Sequence, residues 1–192
     1  MAEATKNDKS NVSGGKGVAG GYLFRAPLGS KKPTNLETPL DAAFKVCGFV
    51  SEDGIVFETE GDSEELVDMN GEVMDDSKSK HAETFAAVLA EVKKLVFETQ
   101  YGAKNVSDEN GVIEVHVKGD DPEHYIYVFE GVLKNARRWR RLIHDAKVKE
   151  LSELAVASSE LFGREATFAA YKDPETGDYY TDWYESTETS AA

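Results

Sequence analysis

Gly15-Lys16-Gly17-Val18-Ala19-Gly20 has the spacing G-x-G-x-x-G. In dinucleotide-binding proteins that spacing lets the backbone approach a pyrophosphate seated on a helix N-terminus. The chemistry needs a strand before the first glycine and a helix after the last. Here residues 1–13 are polar, and Tyr22-Leu23-Phe24-Arg25-Ala26-Pro27 is a short extended run broken by proline. Asp41 lies about as far downstream as a ribose-binding acid would, but Lys31-Lys32-Pro33-Thr34-Asn35 ahead of it makes no second strand. No cofactor is expected.

The other residue types capable of chemistry are scattered. His81, His116, His124 and His144 show no H-E-x-x-H spacing, and the single cysteine, Cys47, cannot complete a zinc set. Asp75-Asp76 and Asp120-Asp121 lack the glycine-containing spacing of a calcium loop and read as solvated turns. No G-x-S-x-G elbow marks a nucleophile. Cys47 lies in the apolar run Phe44 to Val50, which favours a buried thiol over a reactive one. The sequence offers no catalytic constellation and no metal site, so an enzyme is not expected.

Arg137-Arg138-Trp139-Arg140-Arg141 places four guanidinium groups around an indole, a pattern that could stack and neutralise a single nucleic-acid strand. A β-barrel module binding single-stranded nucleic acid through this cluster is the alternative reading of function. Against it, 36 Asp and Glu face 22 Lys and Arg, a net charge of −14 that repels phosphates. A basic strand paired with acidic neighbours explains the cluster more simply.

The elements that must carry these residues are mostly strands. Short apolar stretches recur at Tyr22-Leu23-Phe24, Phe44 to Val50, Ile55-Val56-Phe57, Val112 to Val117, Tyr125 to Leu133, Ala166 to Tyr171 and Tyr179 to Tyr184. Ile113, Val115 and Val117 alternate with Glu114, His116 and Lys118, so one side of that strand should be solvated. Tyr125 to Phe129 is apolar on both faces and needs cover from its own domain or from another subunit. Asp173-Pro174-Glu175-Thr176-Gly177-Asp178 predicts a turn closing a C-terminal hairpin. Phe85, Val88, Leu89, Val92 and Val96 follow helical spacing and predict one helix from Glu83 to about Tyr101, stopped by Gly102. Val148, Leu151 and Ala155 carry a shorter helix-like pattern.

At 192 residues the chain can bury roughly 70% of its unfolded surface as one domain. Residues 1–20 are polar and glycine-rich and read as a flexible arm, and 187–192 as a disordered end, leaving one domain over 21–186. Glu58 to Asp76 holds nine acidic residues and no basic one, with Leu66, Val67 and Val73 as its apolar anchors beside Met69 and Met74. It reads as an acidic loop or hairpin projecting over 58–82. With neither a secretory leader nor an apolar run of membrane-spanning length in the sequence, the chain is expected to stay in the cytoplasm where it is made.

The order of these segments resembles the tail tube (major tail) protein of long-tailed, non-contractile bacteriophages from about Gly17 to Tyr184. Three features carry the resemblance. One is Ala26-Pro27-Leu28-Gly29 and Pro33-Thr34 leading to Gly48-Phe49-Val50-Ser51-Glu52-Asp53-Gly54. The second is Glu83-Thr84-Phe85 followed by Tyr101-Gly102, and the third is His144-Asp145-Ala146-Lys147-Val148-Lys149-Glu150 before the last strands. The resemblance implies a mainly β protein, a β-sandwich or half-barrel of tail-tube fold with one flanking α-helix, an extended N-terminal arm and a long acidic loop. It implies a strand near Phe85 to Ala90 and a helix only from about Glu91, against the single helix that periodicity predicts.

It further implies a virion protein whose copies form hexameric rings stacked into a tube. The tube conducts genomic double-stranded DNA without sequence-specific binding, and tape measure, initiator and terminator proteins are its partners. Contacts between subunits and rings would fall on Gly17, Val18, Tyr22 and Phe24 in the arm and on Glu64, Glu65, Leu66, Asp68 and Met69 in the acidic loop. Glu114, His116 and Lys118 are one candidate face for the lumen.

Overall fold

The computed structural model describes Lys9 and residues 12–159 and 161–186; at 63, 64 and 75–79 it describes the backbone alone. Its strands are β1 (Gly15–Gly17), β2 (Leu23–Pro27), β3 (Lys45–Val46), β4 (Val50–Val67), β5 (Val73–Leu89), β6 (Val106–Glu109), β7 (Val112–Val115), β8 (Tyr125–Leu133), β9 (Arg138–Leu151), β10 (Glu165–Ala170) and β11 (Tyr180–Tyr184). Lys94–Tyr101 forms α1, the one α-helix among the described residues. The protein is mainly β.

Nine strands make one antiparallel sheet in the order β3-β2-β8-β9-β10-β5-β4. Two central strands each carry two shorter ones end to end: β1 and β2 share β8, and β11 and β10 share β9. The sheet is strongly curved and open. Phe85 on β5 and Tyr127 on β8 lie three strands apart, about 14 Å in a flat sheet. Their ring centroids are 5.4 Å apart, and Phe57 on β4 reaches Phe129 on β8 at 6.0 Å. Only a sheet curled toward a half-barrel brings those rings together.

The concave side holds the larger core, with Leu23, Cys47, Phe85, Tyr127, Ile143 and Phe168 among its members, and the convex side holds Ala26, Phe44, Ile126, Val128 and Leu142. Both faces of Tyr125 to Phe129 are therefore covered by this same chain, not by a neighbour. Arg25 on β2 ties α1 down: its guanidinium donates to Glu98 Oε2 at 2.7 Å and to Thr99 Oγ1 at 2.8 Å, and lies 4.2 Å over the Tyr125 ring. Burial of that charge is offset by the ion pair and the ring.

Several sequence expectations change. The helix predicted from Glu83 begins only at Lys94, as the family resemblance implied. β5 is clamped by β10 over Glu83 to Val88 and by β4, and its inward residues Phe85, Ala87 and Leu89 follow a period of two. Both periods coexist in those letters, and long-range pairing selects the strand. Gly102, with φ of 88°, ends the helix and donates its N–H to the Glu98 carbonyl at 2.9 Å. Val148, Leu151 and Ala155 form no helix; the first two belong to β9.

The turn at Asp173 to Asp178 is present, closed by Gly177 N–H to the Asp173 carbonyl at 2.8 Å. Its flanking strands do not form a hairpin with each other, because both pair with β9. The strand expected through Val117 stops at Val115, where β6 and β7 form a separate two-stranded sheet, and Val117 is exposed. Within the arm read as flexible, β1 pairs with Gly131 to Leu133 of β8, while residues 1–8, 10 and 11 and the C-terminal 187–192 lie outside the described residues.

Candidate assembly surfaces

The glycine run is a packed backbone edge. Val18 N–H donates to the Glu130 carbonyl at 3.1 Å and fixes the run beside β8. A Cβ at Gly17 would stand 2.6 Å from Cγ of Tyr22, so the glycine is required by close approach of that ring. The Tyr22 hydroxyl in turn accepts the Val50 N–H, linking the run to the start of β4. Among the described residues no strand precedes the run, and the next element after it is the strand β2.

A groove of about 930 Å³ opens between this run and Gly48 to Ile55, floored by Phe57, Phe129 and Trp139. Gly48 holds φ of 99°, and a Cβ there would lie 2.4 Å from the Glu91 carboxyl carbon. Glu91 Oε1 accepts the Phe49 N–H at 3.0 Å, and the Phe49 carbonyl accepts Ala90 N–H at 2.9 Å. With its backbone pinned on both sides, Phe49 is 70% exposed at the rim.

The acidic segment is a long β4–β5 hairpin. Beyond the Glu83–Ala170 pair, where β10 ends, its two strands continue from Thr59 to Val67 as about 26 Å of two-stranded ribbon, touched near its root by Tyr179, whose hydroxyl donates to the His81 carbonyl at 3.2 Å. Asp68 shapes the tip: its Oδ1 accepts N–H from Glu72 and Asn70, each at 2.8 Å, and those bonds hold its carboxyl below the usual range. Glu65, Leu66 and Met69 are exposed, Met69 to 97%, and nothing is described of the Glu64 side chain. Gly17, Val18, Tyr22 and Phe24 are instead half-buried within the subunit, Phe24 against the convex core. Glu114 and His116, 3.3 Å apart, sit with Lys118 in and just after the separate β6–β7 hairpin.

The arginine cluster is occupied internally. Arg141 binds Asp182 with two bonds of 2.8 and 2.7 Å and packs 4.0 Å over the Tyr180 ring. Arg140 pairs with Glu130 at 2.6 Å and donates to the Asn35 and Thr38 carbonyls, and Arg138 pairs with Glu37 and Glu185. Trp139 stacks on Tyr184, its ring tilted only 8° from it, and donates to Asp182 at 3.1 Å. Neither the indole nor these three guanidinium groups is free for a strand of nucleic acid, so the pairing reading of the cluster holds.

One polar cluster escaped sequence reasoning because its members are far apart in the chain. His144 Nε2 lies 2.9 Å from Thr181 Oγ1, and Nδ1 lies 3.1 Å from Asp173 Oδ2 but out of hydrogen-bonding alignment. Lys32 donates to the same Asp173 oxygen at 2.5 Å. Burial, then the Lys32 charge, pushes the His144 imidazole down, while Lys32 and the Glu175 N–H hold the Asp173 carboxyl low. The histidine thus ties β9 to Thr181 of β11 and packs beside the 173–178 turn. Burial pushes the Cys47 thiol up to about 12, which leaves it protonated and inert. Among the described residues no group of three or more His, Cys, Asp or Glu is placed to hold a metal ion.

Comparison with known proteins matches the sequence model of a family described as phage tail tube protein to residues 4–192. Among solved structures, the chain is similar to one titled cryo-EM structure of the anti-feeding prophage cap (AFP tube terminating cap). That likeness has 10% sequence identity and a TM-score of 0.45, and covers 96% of this chain and 100% of that chain. No curated protein sequence matches.

Proposed function

The chain belongs to the phage tail tube protein family, structural components of the virion tail, and from that premise we propose that its copies close into hexameric rings stacked as a DNA-conducting tube. The family match over nearly the whole chain carries the reading. The fold supports it: the curled sheet leaves β4 and β3 as open edges, and an open edge is a template for pairing with another chain. The acidic hairpin around Glu65, Leu66, Asp68 and Met69 and the arm around Gly17 and Val18 supply contacts between subunits and rings. Assembly takes place in the host cytoplasm, with tape measure, initiator and terminator proteins as partners.

The role is mechanical and has no catalytic step. Six copies at −14 each give a ring −84, and such a wall offers duplex phosphates no counterion-release gain, so DNA slides rather than sticks. Sedimentation velocity of the full chain tests the assembly, with and without a tail initiator complex as nucleus. Polymers far heavier than a ring are expected. A monomer under both conditions overturns the reading.

A further inference from the structure

We propose that Lys93 is a displaceable cap on the β3 edge: its ammonium occupies the backbone group that a strand of a second copy would need, and pairing there waits for the ammonium to leave. The inference rests on the self-assembly proposed above and concerns what paces it. β3 has two residues, Lys45 and Val46, and both are exposed. On β2, Phe24 stands opposite Val46 and Arg25 opposite Lys45, and the residue after β3, Cys47, donates its N–H inward to the Leu23 carbonyl at 2.8 Å. Along an antiparallel pair, residues bonded to the partner strand alternate with residues whose N–H and C=O face away from it. Lys45 and Cys47 are of the first kind. Val46 is of the second, and it carries the one outward carbonyl of β3.

That carbonyl is already taken. Lys93, between β5 and α1, donates to it from Nζ at 3.1 Å. Glu91 holds the ammonium in place: its Oε2 lies 2.8 Å from Lys93 Nζ, while its Oε1 accepts the Phe49 N–H at 3.0 Å. The Glu91–Lys93 pair therefore bridges the outer edge of β3 to the chain just before β4. An unpaired edge invites strand addition, and a lysine on the edge is a common way to blunt it. A lysine also suits a cap that must come off, because a flexible stem and a partly exposed ion pair hold the ammonium only weakly.

Cap and net charge act on assembly in opposite directions. Each copy carries −14, and Lys93→Met makes it one unit more negative. Repulsion between copies would then slow assembly, whereas loss of a cap speeds it.

Polymerisation of the full chain on a tail initiator complex, followed by light scattering, separates the two. Lys93→Met should raise the rate about fivefold, the equivalent of about 1 kcal/mol for one hydrogen bond removed from the barrier. Lys93→Arg keeps both donor and charge and should run at the wild-type rate. Lys94→Met removes the same charge from the next residue, whose ammonium lies 3.8 Å from Glu98 on α1, and should be no faster than wild type. A Lys93→Met rate at or below wild type overturns the cap, as does equal acceleration by Lys94→Met. Lys93→Met should also keep the wild-type melting temperature; acceleration with a strongly lowered one would trace to unfolding and overturns the cap as well. Absence of any wild-type polymer instead removes the assembly reading, and the cap with it.

Discussion

Gly48 and His144 show what single residues do in this subunit. Gly48 has a backbone conformation that side chains rarely adopt, and its missing Cβ leaves room for the carboxylate that fixes Phe49. Gly48→Ala should therefore cost about 1–3 kcal/mol from backbone strain alone, visible as a lower midpoint in urea unfolding. An unchanged midpoint would show that the loop relaxes freely. His144 gives the fold an acid-sensitive point. Unfolded, the imidazole titrates near 6.5; folded, burial and Lys32 hold its value lower, so the unfolded state binds more protons between the two. Its stabilisation is complete above about pH 6.5 and is lost as pH falls toward the folded value. Asp173, held low by Lys32, adds a loss below about 3.8 as its carboxylate protonates. Melting temperature should thus fall from pH 7 to pH 5, and His144→Gln should flatten that fall.

At the scale of elements, the hairpin is separable from the core it projects from. Gly61 and His81 are paired across the ribbon beyond the last contact with β10. Replacing 62–80 by Asn-Gly, a favoured two-residue turn, should keep the melting temperature within a few degrees while abolishing polymer in sedimentation. Polymer at wild-type yield would remove the hairpin from the interface. The strands were largely legible in the sequence because their apolar stretches are short and bounded by turn residues, and the acidic segment was legible as a projection. Glu83 to Leu89 was not legible from periodicity alone: Phe85 and Leu89 fit both periods, and only pairing with β10 and β4, distant in sequence, decides. The same limit hid the end-to-end placement of β10 and β11, since a Pro-Gly turn says that the chain bends and not which strand it returns to. Of the proposed contact surfaces, the hairpin was readable as a projecting acidic run with a few apolar anchors. The groove was not, because it joins Gly17, Gly48, Phe129 and Trp139 from four separate segments.

For the whole molecule, the account joins three facts: a family of tail tube proteins, a curled sheet with two open edges, and a projecting hairpin with an apolar tip. The chain covers both faces of its central strand by itself, so that strand needs no neighbour to be buried. Among the described residues the outer edges of β3 and β4 carry no further strand, and contact with further copies there would extend the structure. Negative-stain electron microscopy of the full chain, polymerised on a tail initiator complex, tests this claim most directly. The account predicts hollow tubes of stacked rings with sixfold symmetry in end-on views. Solid fibres, or single particles no larger than one subunit, would contradict it.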